Sequence, residues 1–269
     1  MVSIFSRPIT ELISLRYSVR NYEDKPLDED IINKIESYIS NLDNPFGGKV
    51  RVKLIKKDEY NKDVKLGTYG FIRGAKYYLT VACENGEFAL ESLGYAFEKV
   101  VLYCTSLGLG TVWMGGTFNK GAFAKTMNLK ENETLAIVSP VGYEGGKKSI
   151  IGSIIGSKKK PRKAFSDIFF NNDFNTPLLK ELAGEYGEPL EMVRLAPSAM
   201  NKQSWRIVKK DNTIHFYSNG NMEMNKIDLG IAMCHFDLTV KENGINGEFK
   251  FTDPKIDTKY KYVISWIRQ

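Results

Sequence analysis

Two stretches of this 269-residue chain repeat one pattern, and that repetition limits the folds open to it. Leu93-Gly94-Tyr95-Ala96 and Leu229-Gly230-Ile231-Ala232 each lie inside a long apolar run. Leu102 and Leu238 follow at matching distances from their glycines, as do Gly108-Leu109 and Gly244-Ile245. Apolar residues on most sides predict buried helices, here over 88–107 and 227–243. A glycine just past the helix end suits the left-handed closing turn. Two buried helices that cross each need a small residue at the crossing, so shared packing could produce the pattern. Duplication of a half-chain unit explains more of it.

Shorter elements surround these helices. Ile9, Leu12, Ile13 and Leu15 share a helical face, which predicts a helix over 9–18. Pro26 breaks the chain, and Asp28 is placed to cap a second helix carrying Ile31, Ile32, Ile35 and Ile39. Residues 50–55 alternate as a strand does, 77–83 and 135–143 read as buried strands, and 122–127 as a short helix. Residues 145–156 read as a glycine-rich surface loop, followed by the basic run Lys158-Lys159-Lys160-Pro161-Arg162-Lys163. The polar, turn-rich stretch 171–177 marks a boundary. Helical material over 178–195, strands over 206–208 and 213–217, and a final strand over 262–267 follow.

Composition narrows the function. With 42% hydrophobic and 26% charged residues the chain can bury a real core, as one large domain or two small ones. Cys83, Cys104 and Cys234 are odd in number and far apart, and His215 and His235 are the only histidines. A disulfide framework and a metal cluster are therefore not expected. A net charge of +6 favours anionic ligands without indicating nucleic acid. No apolar run reaches membrane length or makes a leader, so the expectation is a cytoplasmic protein with no membrane partner.

Three segments together resemble the nitroreductase family of FMN enzymes. Arg16-Tyr17-Ser18-Val19-Arg20-Asn21-Tyr22 is similar to its N-terminal Arg-x-Ser-x-Arg/Lys-x-aromatic motif. Gly94 through Gly116, ending Gly108-Leu109-Gly110-Thr111-Val112-Trp113-Met114-Gly115-Gly116, resembles its central helix and Gly-Leu-Gly-Thr loop. Ala196-Pro197-Ser198-Ala199-Met200-Asn201-Lys202-Gln203-Ser204-Trp205 resembles its Ala-Pro-Ser-x-x-Asn-x-Gln-Pro-Trp motif, with Ser204 where proline is usual. Residues 160–168 resemble its basic phosphate-binding segment.

The order departs from the family's. The Ala-Pro-Ser motif is missing where it would normally stand, at 41–49, and occurs in the second half. In ordinary members that motif reaches the FMN from the partner subunit. The resemblance therefore implies an α+β fold with antiparallel central sheets flanked by helices, in two fused halves forming a pseudo-dimer. Residues 1–172 would hold the phosphate site and flavin loop, and 173–269 would supply the partner's motif. The second half lacks both other motifs, with Gly247-Glu248-Phe249-Lys250 in place of the glycine loop, so one FMN per chain and a monomer are expected.

The resemblance also implies roles. Arginine offers a planar fork of donors to a dianionic phosphate. Arg16, Ser18, Lys160 and Arg162 would hold that phosphate, with Tyr17 in the same motif. Arg20 would stabilise negative charge near N1 and O2 of reduced flavin. Backbone N–H groups of Met114, Gly115 and Gly116 would approach N5, with Trp113 near the ring. Pro197, Ser198, Asn201 and Gln203 would come from the second half. Arg20, Gly115 and Gly116 would serve catalysis most directly, passing hydride from NAD(P)H through FMN to a nitroaromatic, quinone, flavin or enone by ping-pong turnover. The alternative is an FMN-binding protein that stores or senses flavin.

Overall fold

The computed structural model describes residues 5–57, 68–145 and 161–269. In chain order the elements are α1 (Ile9–Leu15), α2 (Glu29–Ser40), β1 (Val50–Lys56), β2 (Tyr77–Glu84), α3 (Ala89–Ser106), β3 (Gly110–Thr111), α4 (Lys120–Met127) and β4 (Glu133–Gly142). They continue with β5 (Phe169–Asn171), α5 (Gly187–Leu195), β6 (Trp205–Lys210), β7 (Thr213–Ser218), α6 (Glu223–Glu242), β8 (Gly247–Lys250) and β9 (Lys261–Arg268). Both long helices of the repeat form, as α3 and α6.

These two helices pack on each other and organise the rest. A Cβ on Gly94 would lie 2.2 Å from the Ile227 carbonyl oxygen, and one on Gly230 would lie 2.1 Å from that of Glu91. Ile227 precedes Gly230 by the same interval as Glu91 precedes Gly94. Each glycine therefore meets the backbone of the residue three before the other helix's glycine, so the contact is reciprocal. Only the absence of a side chain allows the approach.

Each helix carries a sheet. The first sheet, in order β1-β2-β4-β3, is antiparallel throughout. Strand β2 is buried on both faces along most of its length, which is why its sequence reads as a continuous apolar run. The second sheet, in order β5-β6-β7-β9-β8, is antiparallel except at β5, which runs parallel to β6. One core joins the halves, with Leu79 and Val81 of β2 in the same cluster as Ile207, Phe216 and Trp266 of the second sheet.

Several local expectations shift. Helix α1 stops at Leu15, because Arg16 turns extended and the chain leaves to pair with the first sheet's edge. There Ser18 bridges Thr111, and the Val19 N–H donates to the Thr111 carbonyl at 2.9 Å. Asp28 occupies the cap position of α2 without capping it; its carboxylate accepts from the Tyr143 hydroxyl at 3.1 Å. Residues 247–250 form edge strand β8. Most of the predicted loop 145–156 and Lys158, Lys159 and Lys160 lie outside the described residues. No described helix is long and apolar enough to cross a membrane.

Candidate functional site

Arginines from distant segments converge on the α3 and α6 pair. Arg16, just past α1, has a side chain only 7% exposed, and its Nε lies 3.7 Å from Glu98 Oε1. That Nε has no hydrogen-bond partner. Arg162 donates from Nη1 to Asn201 Oδ1 at 2.5 Å and from Nη2 to the Leu195 carbonyl at 2.7 Å. Burial, then the nearby charges of Arg16 and Arg194, pushes its pKa down to about 10. Burial likewise lowers Arg16, with Glu98 opposing. Both guanidiniums remain charged at neutral pH. Arg194 is neutralised by Glu191, which it grips through two bonds of 2.8 and 2.6 Å.

Glu98 is fully buried on α3 and serves several partners. Its Oε2 accepts from Trp113 Nε1 at 2.8 Å, and its Oε1 lies 2.9 Å from Nε2 of the equally buried His235 on α6. His235 Nδ1 lies 2.9 Å from the Met192 carbonyl. Both ring nitrogens thus face acceptors, so the Glu98–His235 pair is satisfied when it shares two protons. One carboxylate orients Arg16 and Trp113 from the first half and ties them to the second. Sequence reasoning missed both residues; the available signal was a charged residue and a histidine on the buried faces of otherwise apolar helices.

The rest of the N-terminal motif spreads along the sheet edge. The Tyr17 hydroxyl donates to Glu144, and burial together with that carboxylate raises its pKa to about 12. Ser18 is half-buried at its bridge to Thr111. Arg20 is half-buried, its carbonyl accepts from the Arg73 N–H at 3.0 Å, and its side chain makes no ion pair among the described residues.

The glycine loop follows β3. Met114 is buried and exchanges backbone hydrogen bonds with Val138 at 3.0 and 3.1 Å. Trp113 packs edge-on against Phe97 with ring centroids 5.0 Å apart. A Cβ on Gly115 would meet Met224 Cε of α6 at 2.8 Å, whereas one on Gly116 would meet nothing within 4 Å. The loop therefore abuts the second half at Gly115 and leaves open space at Gly116.

The Ala-Pro-Ser segment forms a tight loop with left-handed residues at Met200, Asn201 and Gln203. Ser198 Oγ accepts from the Gln203 N–H at 3.0 Å. The Gln203 side chain is fully buried, accepting from the Lys163 N–H at 2.8 Å and donating to the Arg194 carbonyl at 3.1 Å. It joins the basic segment to the end of α5 and spends its polar atoms there. Pro197 is half-buried before the turn.

Ser204 accepts from Asn225 Nδ2 at 3.0 Å, so the hydroxyl at this position ties the loop to the start of α6. Asp228 takes the Ala199 N–H on both oxygens at 3.0 and 3.1 Å. Burial raises its pKa to about 7, against that hydrogen bond and Lys202. Neither support stands out in sequence, because each acts on a loop remote along the chain or across a helix turn.

A family model described as "Putative TM nitroreductase" matches residues 8–240. A "putative nitroreductase" of Thermotoga maritima is 22% identical over 97% of this chain and 94% of its own, with a TM-score of 0.65, which shows a shared fold. An oxidoreductase containing FMN aligns with 59% of this chain and 88% of its own at 17% identity and TM-score 0.47. A nitroreductase family protein of Clostridium difficile aligns with 56% of this chain and 92% of its own at 19% identity and TM-score 0.41. No curated protein matches the chain. With a family match over most of its length, the chain belongs to this nitroreductase family of oxidoreductases.

Proposed function

We propose that the chain binds one FMN and works as an NAD(P)H-dependent oxidoreductase that passes hydride to a small acceptor by ping-pong turnover. The observation that carries this reading is the meeting of Arg16 and Arg162. Two guanidiniums, Arg16 buried and Arg162 half-buried, lie close enough for the charge of Arg16 to depress the protonation of Arg162. They have one carboxylate near them, Glu98, which pairs with Arg16, and one Arg16 nitrogen lacks a hydrogen-bond partner. A dianionic phosphate completes that set of donors and relieves the mutual repulsion. Ser18 supplies a hydroxyl from the same segment; Lys160, which lies outside the described residues, would add a further cation.

When bound, FMN supplies the two-electron chemistry itself, so the chain needs no nucleophile. Its residues bind, orient and bias. Arg20 offers a side chain without an ion-pair partner among the described residues to the electron-rich edge of reduced flavin. Gly115 and Gly116 offer backbone N–H groups from a loop with open space at Gly116, whereas the Met114 N–H, expected there as well, is taken by the Val138 carbonyl. Trp113 is fixed by Glu98, and Tyr17 supports the motif through Glu144. Pro197, Ser198 and Asn201 frame the site from the second half, with Gln203 bracing their loop.

The same reading makes 1–172 and 173–269 fused partners. The reciprocal Gly94–Gly230 crossing supports it, as does β5, which leaves the end of the first half to join the second sheet. Assembly of the site is then intramolecular, and FMN binding is insensitive to protein dilution.

The test is a flavin assay of the purified chain, followed by anaerobic titration with NADH and NADPH at the flavin absorbance. FMN near one per chain and bleaching by nicotinamide are expected. A colourless protein, or FAD on acid release, overturns the reading. FMN that neither nicotinamide bleaches assigns storage or sensing instead. Arg20→Ala is expected to slow reduction more than it weakens FMN binding.

A further inference from the structure

A cleft of about 420 Å³ occupies the position that the repeat relates to the Gly115 loop. Phe251 follows Gly230 by the same interval as Gly115 follows Gly94, and Phe88 precedes Gly94 as Met224 precedes Gly230. Gly115 follows a short edge strand, β3 on β4; Phe251 follows another, β8 on β9. Gly115 abuts Met224, and Phe88 and Phe251 line this cleft together.

The lining is built for a different ligand. Where the first half has a glycine, the second presents the Phe251 ring, 67% exposed and set edge-on to Tyr262 at 5.2 Å. Glu91 lines the cleft from α3, is 7% exposed, makes no ion pair among the described residues, and takes a hydrogen bond from its own backbone N–H. Lys226 and Lys261 also line it, near enough to pull on the Glu91 carboxyl, and neither forms an ion pair among the described residues. Burial pushes that carboxyl upward against them. A buried carboxylate held by one backbone donor keeps most of its acceptor capacity, and a ligand that supplies further donors lowers its desolvation cost.

We propose that this cleft is a second binding site, separate from the arginine cluster, for a mononucleotide anion whose base presents adjacent N–H donors, as guanine does. The two Glu91 oxygens accept from the adjacent donors of the guanine edge, as a bidentate pair. Lys226 and Lys261 attract the phosphate, and Phe251 offers a stacking face. Adenine places an acceptor nitrogen beside its amino group, and the pyrimidine edge of flavin sets one N–H between two carbonyls; both oppose a carboxylate. The site does not depend on the flavin reading, because none of its residues belongs to the Arg16–Arg162 cluster.

The test is calorimetric titration of the full-length purified chain, as isolated, with GMP, AMP and guanosine. GMP is expected to saturate one site, with AMP and guanosine each weaker by at least about tenfold. Glu91→Gln is expected to erase the preference for GMP over AMP while FMN content stays unchanged. If that variant does not fold, Lys226→Glu and Lys261→Glu at the cleft mouth are expected to abolish GMP binding. No GMP binding at millimolar concentration, or AMP binding as tight as GMP, overturns the proposal. A colourless protein that still binds GMP refutes the flavin reading alone.

Discussion

The Gly115 side and the Phe251 side of the helix crossing start from the same parts and end in different chemistry. Each has a long buried helix, a closing glycine with positive φ, at Gly108 or Gly244, and a short edge strand. On the first side a glycine loop with open space at Gly116 follows Trp113, which donates to the Glu98 carboxylate beside Arg16. On the second a phenylalanine fills the corresponding place beside a lone carboxyl and two lysines. The matching helices set where the Gly115 loop and the Phe251 cleft lie, and a few side chains make their linings differ. Polar contacts across the helices are equally lopsided: Glu98 meets His235, while the repeat-related partner of Glu98 is the buried Cys234.

The strongest way to break the comparison is to remove what both sides share. Gly230→Ala places a methyl group onto the Glu91 carbonyl, and a loss of more than about 4 kcal/mol, with both recesses disrupted, is expected. Urea unfolding, or failure to purify a folded chain, reads it out.

Next come the unequal polar contacts. Glu98→Ala leaves His235 and Trp113 without their acceptor and Arg16 without its counter-charge, and a cost of about 3–5 kcal/mol is expected. Cys234→Ala at the related position is expected to cost about 1 kcal/mol. Equal thermal shifts in the two variants would show that the asymmetry has no energetic weight.

Titration separates the loop on the first side from the second sheet beside it. Asp228, under the Ala-Pro-Ser loop, has its pKa raised from 3.8 to about 7, so the folded chain holds its proton longer than the unfolded one. Stability from this group is present at low pH and is lost as pH rises between about 4 and 7, by on the order of 3 kcal/mol. His215, buried in β7 beside Ser265 Oγ at 2.7 Å, has its pKa lowered from 6.5 to about 4. Its contribution runs the other way, present above pH 6.5 and lost as pH falls toward 4. The two oppose each other in the parent. Asp228→Asn is expected to expose the His215 trend, with stability rising from pH 4 to 6.5, as urea midpoints across that range would show.

The smallest effect sharpens the ligand difference. Arg162→Ala removes charge-assisted donors worth about 1.5–3 kcal/mol, so FMN is expected to bind roughly 10- to 100-fold more weakly. GMP binding at the Phe251 side is expected to stay unchanged. Dialysis with flavin fluorescence measures the first, and calorimetry the second.

Much of this was legible in the chain. Apolar periodicity announced α3 and α6, and the paired glycines marked where they cross. The mostly apolar runs announced β2 and β4, which are buried on both faces over most of β2 and the second half of β4. Both edge strands of the second sheet escaped notice: Phe169–Asn171 and Gly247–Lys250 are too brief and too mixed to show a period, and each exists only because a longer neighbour offers a free edge. In the candidate site, Arg16 and Arg162 stood out as residue types suited to phosphate. Gln203 stood out as well, yet its amide is consumed by the backbone of Lys163 and Arg194.

By itself the sequence determined the repeated helix, the family motifs and the residue types able to meet a phosphate. Those features depend on local spacing, which the chain carries in one dimension. Only the tertiary structure decided that Arg16 comes near both Arg162 and Glu98, that Glu98 reaches His235 across the helix pair, and that Glu91 faces a cleft without an ion-pair partner among the described residues. The physical reason is that burial and pairing are properties of surroundings. The same carboxylate is a solvated charge, an anchor for three side chains or an acceptor turned toward a cleft, according to what the fold brings beside it.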